Sequence, residues 1–317
     1  QHREALQSAE ALVEETANAP NTPPMVVANR VAGASHFLMG NFAEAQRYLG
    51  VALANYDPIA HAGLANQFGQ DIGVTIHIFQ ALNSLMLAQT ERATTHMNEA
   101  ERLAKSTDHI QTICYLLNMR LIYGMVSGDH HDAERCLKEV SPIAQEHNLA
   151  LWLAMIPMCT EIFAAYNGDK ISMERWQKAE SEIDTIKFKL FIASFRVDLA
   201  RSALAMGLHD DAAELAMKAQ ELIDETGETF ALSDLHRLQA AIALADLASV
   251  HLLKNLVMRL RPCHGMADQF VLAATSCGGQ YGFVSSHAAT LFAAWGVMQA
   301  SKASKNWLLA LGLWALV

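Results

Sequence analysis

Five residues towards the C-terminal end have the types and the order needed to handle a phosphate ester. Lys254 is followed seven residues later by Arg261, and Ser285, Ser286 and His287 stand together some two dozen residues further on. Hydrolysing a phosphate ester takes cations that neutralise the non-bridging oxygens, a nucleophile, and an acid for the leaving oxygen. A seven-residue step is close to two helical turns, so Lys254 and Arg261 can both aim at one anion near a helix end. Ser285 and the backbone amides at 285–287, opening a helix, make a second anion cradle. His287 at that helix start can act as the general acid. Taken alone, Lys254 and Arg261 read equally as a basic helix end whose stems lie along apolar surface.

The elements that must position these residues lie between 241 and 317. Ala241 to Val257 is a long apolar helix interrupted by Asp246, His251 and Lys254, and Pro262 breaks it. Residues 265–283 read as loop and short helix. His287 to Ala300 is apolar again, Ser301 to Lys305 is a polar turn, and Trp307 to Val317 is apolar but too short to span a bilayer. If 241–258 crosses a membrane, 287–300 returns. Lys302 and Lys305 then lie on the side of the preceding residues, as basic residues on the cytoplasmic side would. Cys263 and Cys277 fall in the intervening loop; they can pair in an oxidising compartment, although spacing does not fix a pairing.

The two signatures, KNLVMRLRP from Lys254 to Pro262 and Gly282-Phe283-Val284-Ser285-Ser286-His287-Ala288-Ala289, resemble two of the three active-site motifs of the type 2 phosphatidic acid phosphatase superfamily. The resemblance implies that Lys254 and Arg261 bind phosphate, that Ser285 and Ser286 line the site, and that His287 protonates the leaving group. It also implies a lipid phosphate or diphosphate as substrate and a membrane-bound helical domain. The second motif of that family reads Pro-Ser-Gly-His, whereas Val284-Ser285-Ser286-His287 stands here. The third motif, which carries the nucleophilic His, has no counterpart in the chain. The expectation is a truncated domain over 241–317 with negligible turnover.

The remainder has a different character. Hydrophobic residues make up 52% of the chain against 7 Pro and 17 Gly, the profile of an all-α protein. Residues 241–317 hold five basic and two acidic side chains, a net +3, which leaves −13 of the overall −10 to the first 240 residues. Such an acidic region is unsuited to nucleic acid, which needs clustered Lys and Arg. Cys114, Cys136 and Cys159 sit in apolar stretches and read as small buried residues. The chain starts at Gln1 without a basic-then-apolar leader and ends within an apolar run, which reads as a fragment.

Within residues 1–240 a pattern recurs with a period near forty. A helix ends at a small residue, and a second helix follows with Ala and Leu at three- and four-residue spacing. The turns fall at Ala88, Gly128, Gly168 and Gly207, separated by 40, 40 and 39 residues, and a first unit turns at Gly40. Small residues let paired helices approach, and Gly supplies the left-handed residue after a helix end. Pairs that cannot bury their apolar faces alone stack into an α-solenoid. Helices are predicted over 3–17, 25–39, 42–56, 71–88, 91–105, 109–126, 131–147, 149–166, 171–186, 189–206, 209–226 and 231–250, with Asp108 capping the sixth.

This pattern resembles the tetratricopeptide repeat family. Tyr56-Asp57-Pro58, His61 and Phe68-Gly69-Gln70-Asp71-Ile72-Gly73-Val74 resemble more specifically the C-terminal repeat region of bacterial class III adenylate/guanylate cyclases and related predicted ATPases. Glu225-Thr226-Gly227-Glu228 with Ser233-Asp234-Leu235-His236-Arg237-Leu238 fits the same region. The resemblance implies a cytoplasmic regulatory module that contacts protein or peptide on a concave face. Candidate contacts on the first helices are Asn29, Arg30, His36, His77, Gln80, Asn83, Asn118 and Arg120, each of which reads alternatively as a solvated or capping residue. No Gly-rich Lys-Ser/Thr phosphate loop is present, and no cofactor is expected. His130-His131-Asp132 reads as a helix start rather than a metal site, because adjacent residues on a helix point apart.

Overall fold

A computed structural model describes residues 2–248. Lys254, Arg261, Ser285, Ser286, His287, Cys263 and Cys277 lie outside the described residues, as does all but the start of the expected membrane-type segment. The described residues form α-helices and no strand. In chain order these are α1 (His2–Thr16), α2 (Pro23–Leu38), α3 (Phe42–Ala54), α4 (Leu64–Phe68), α5 (Ile72–Met86), α6 (Thr90–Lys105) and α7 (Ile110–Ser127). There follow α8 (His130–Glu146), α9 (Ala150–Tyr166), α10 (Met173–Thr185), α11 (Ile192–Ala205), α12 (His209–Thr226) and α13 (Leu232–Ala248). The periodicity anticipated all of them except α4, a single turn inside the 55–71 linker. Among these helices none is long and apolar enough to cross a membrane.

The helix-to-helix turns share one stereochemistry. Gly40, Ala88, Gly128, Gly168 and Gly207 all have positive φ, at 74°, 56°, 82°, 83° and 78°. At four of them the next amide reaches back to a carbonyl five residues earlier: Asn41 to His36, Gln89 to Ser84, Asp169 to Ala164 and Leu208 to Ala203. These bonds satisfy helix-end carbonyls that would otherwise be orphaned. Ala88 stands in the left-handed region where the others are Gly, at a cost of about 1 kcal/mol. At the start of α7 the capping group is His109 rather than Asp108: its Nδ1 accepts from the Thr112 amide at 3.3 Å.

Successive helices pack as neighbours, α2 on α3, α5 on α6, α7 on α8, α9 on α10 and α11 on α12, while α2 meets α5, α5 meets α7, α9 meets α11 and α11 meets α13. Small residues set the closest approach: a Cβ on Gly33 would lie 2.5 Å from Leu49 Cγ, inside its van der Waals shell. One apolar core runs from Ala34 in α2 to Leu238 in α13. Helix α5 is buried along its whole run from Ile72 to Ser84, including its polar residues.

The end of α2 meets the connection between α12 and α13. Leu38, the last residue of α2, accepts through its carbonyl oxygen from the amides of Thr229 at 2.7 Å and Phe230 at 3.1 Å. The Phe230 ring stacks on Phe37 at 5.3 Å and meets Phe191 edge-on at 5.5 Å, and Phe37 meets Phe79 at 5.7 Å. Glu228, buried beside them, accepts from the Phe191 amide at 3.0 Å. The Glu225–Glu228 motif therefore lies where the connection between α12 and α13 packs on the end of α2.

Candidate functional site

The linker between α3 and α5 is held by the residues of its own motif. Asp57 Oδ1 accepts from the amides of Ile59 and Ala60 at 2.8 and 2.9 Å, which holds its carboxyl below the usual range. His61 Nδ1 accepts from the Asp57 amide at 3.0 Å. Asp71 is the N-cap of α5, its Oδ1 accepting from the Val74 amide at 2.9 Å and from the Tyr56 hydroxyl at 3.1 Å. Burial and the adjacent Asp71 carboxylate push the Tyr56 phenol well above its ordinary range, so it stays a hydrogen-bond donor. The Tyr56 ring occupies the space above Gly73, where a Cβ would lie 2.3 Å from Tyr56 Cε1.

This network continues into the next helix pair. The Asp71 amide donates to Thr112 Oγ1 at 2.9 Å, and Thr112 Oγ1 lies 2.8 Å from His109 Nδ1. Because that Nδ1 also accepts from the Thr112 amide, the neutral ring carries its proton on Nε2. Between these elements lies a cavity of about 320 Å³. Its polar lining comes from Tyr56, Asn66, Asp71, Ser106, Thr107 and His109, and its apolar lining from Pro58, Ala62, Ala65 and Leu103. The Ser106 and Thr107 hydroxyls donate to the Leu103 and Ala104 carbonyls at 2.7 and 2.8 Å, closing the end of α6.

The cleft offers hydrogen-bond acceptors and donors around one carboxylate, and no activated nucleophile. The thiols of Cys136 and Cys159 lie elsewhere in the core, and burial pushes both to about 12. Among the described residues, no three His, Cys, Asp or Glu side chains are placed to hold a metal ion. His130, Asp132 and Asp129 form the helix start read from the sequence, with Asp129 as the cap of α8.

The first-helix candidates are dispersed, and most of their polar groups turn to the protein itself. Asn29 and Asn118 donate to the carbonyls one turn back, Met25 at 2.9 Å and Cys114 at 3.0 Å. Asn83 donates to the Phe42 carbonyl at 3.0 Å, tying α5 to the start of α3, and Gln80 beside it is fully buried. His36 stacks on Tyr48 at 5.2 Å with Nε2 3.4 Å from Glu10. His77 Nδ1 lies 3.0 Å from His96 Nδ1, and burial together with its partner pushes His96 down to about 4. Arg120 joins α7 to Asp132 of α8 at 2.7 Å and to Glu101 of α6. Arg30 differs from the rest in having no such partner.

A second buried polar cluster centres on Asp198, which no motif marked. Asp198 of α11 faces Tyr166 of α9, Arg201 of its own helix and Asp234 of α13, while the His130 ring lies 4.1 Å from the Tyr166 ring. Burial raises the Asp198 carboxyl to about 7, against the attraction of Arg201. A single acidic residue in a helix carries no sequence mark of this; the environment is supplied by three other helices.

No family model matches this chain, and no curated protein sequence matches it.

Proposed function

We propose that residues up to about 240 form a tetratricopeptide-like α-solenoid that serves as a protein-interaction module, and that the cleft between Tyr56, Asp71 and His109 receives a segment of its partner. The observation that carries this reading is the recurrence of one left-handed turn at 88, 128, 168 and 207 between sequentially packed helices. Such arrays present inter-unit clefts as binding surfaces. The cleft is lined by the very segment that resembles the repeat region of cyclases and related ATPases, which favours a regulatory, cytoplasmic role beside a signalling domain. Its carboxylate, in a region of net charge −13, favours a basic peptide segment over an acidic one.

The test is selection of displayed peptides on the immobilised full chain, followed by affinity measurement with Asn66→Trp, which fills the cavity. Selected peptides should carry Lys or Arg and lose at least about tenfold in affinity with the variant. Failure to select any peptide, or binding that Asn66→Trp leaves unchanged, overturns the reading.

The second reading is a membrane-bound phosphatase acting on a lipid phosphate, carried by the Lys254 to His287 signatures alone. Release of phosphate from a lipid phosphate by the full chain, abolished in His287→Ala, would put that reading first.

A further inference from the structure

Arg30 sits in the first half of α2, half-buried, with its Nε sealed from water and without a hydrogen-bond acceptor. It makes no ion pair among the described residues. Arg120 and Arg196, similarly enclosed, each reach a carboxylate, Asp132 at 2.7 Å and Glu180 at 2.8 Å. The neighbour of Arg30 is the phenol of Tyr115 in α7, which also faces Thr75 of α5. Trp152 of α9 lies 6.5 Å beyond the Tyr115 ring. A guanidinium Nε withdrawn from water without an acceptor is costly, and burial accordingly lowers the affinity of Arg30 for its proton. The cost is recovered when an oxyanion accepts from the guanidinium fork.

We infer that Arg30, with Tyr115 beside it, anchors an oxyanion-binding site between the first halves of α2, α5 and α7, taking a carboxylate or phosphate group of a ligand. Two features fit that charge. The Tyr115 hydroxyl remains a donor at neutral pH, since burial raises it to about 12. Both Arg30 and Tyr115 retain partial exposure, so an ion can reach them. The site is independent of the peptide cleft: it requires only a small anion, and its residues are not those lining the cavity at Asp71.

The experiment is calorimetric titration of the full chain with inorganic phosphate and, separately, with acetate, at fixed ionic strength. Saturable binding of either is expected, with the stronger ion identifying the ligand group. Tm should rise by about 3 °C or more at tenfold above half-saturation. Arg30→Gln should abolish the binding, and Arg47→Gln, which changes an exposed arginine, should leave it intact. Arg30→Lys keeps the charge but not the fork, and should weaken binding about tenfold with an unchanged helical spectrum, so the outcome stands even if Arg30→Gln fails to fold. No saturable binding of either ion, or binding that survives both Arg30 variants, overturns the inference.

Discussion

The carbonyl oxygen of Leu38 accepts a 2.7 Å hydrogen bond from the amide of Thr229. This bond closes the end of α2 with a residue from the far end of the described chain, and Phe230 completes the closure by stacking on Phe37. Helix α5 is buried on all sides, and the first-helix amides are withdrawn from solvent.

Removing the Phe230 ring should therefore do more than open a small cavity. Phe230→Ala is expected to cost about 3 kcal/mol, read from urea unfolding of the full chain. Hydrogen exchange should speed up at the Phe37–Asn41 amides as well as around residue 230, because the two segments share the contact. Faster exchange confined to 228–232 would show that the closure does not stabilise α2.

The linker motif predicts a coupled pair. Gly73→Ala places a methyl group 2.3 Å from Tyr56 Cε1 and should destabilise by about 1–3 kcal/mol. With Tyr56→Ala already in place, the same change should cost less than about 0.5 kcal/mol, since the clashing ring is gone. Additive costs in that double-mutant cycle would separate Gly73 from Tyr56.

At Ala88 the chain carries strain that a glycine would relieve. Ala88→Gly should raise stability by about 1 kcal/mol, because the residue keeps φ near 56° while losing its Cβ. Chemical denaturation of the two proteins side by side decides it, and a loss of stability would mean that the Ala88 methyl group contributes more in packing than it costs in strain.

Asp198 makes stability fall as pH rises. Its folded pKa, about 7, lies above the unfolded value near 4, so between those limits the folded state holds a proton that the unfolded state has released. The contribution of protonated Asp198 is fully present below about pH 4 and is lost as pH climbs through 7. Asp198→Asn mimics the neutral acid and should be more stable than the parent at pH 8, by at most about 4 kcal/mol. The two should be nearly equal at pH 4–5. Arg201 and Asp234 face the group with opposite charge, and Tyr166 and His130 complete its surroundings. A Tm difference that does not change with pH would refute this account.

Ala, Leu and Gly at fixed spacing determined the helices and their turns without further help, because helix periodicity and left-handed caps are local properties. The linker motif likewise marked residues 56–74, where Tyr56, Asp57, Gly69, Asp71 and Gly73 each answer a local backbone or packing need. What the motif did not disclose is that it borders a cavity with Ser106, Thr107 and His109, since those residues arrive from the next helix pair. The candidates Asn83, Gln80 and Asn118 were read as an open face because polar groups on a helix usually meet water. Only the packing of helices against one another decided that these amides are buried. The same packing left Arg30 without a carboxylate and raised Asp198. Charge and proton affinity at those positions depend on desolvation and on neighbours from distant helices, which no local pattern in the chain encodes.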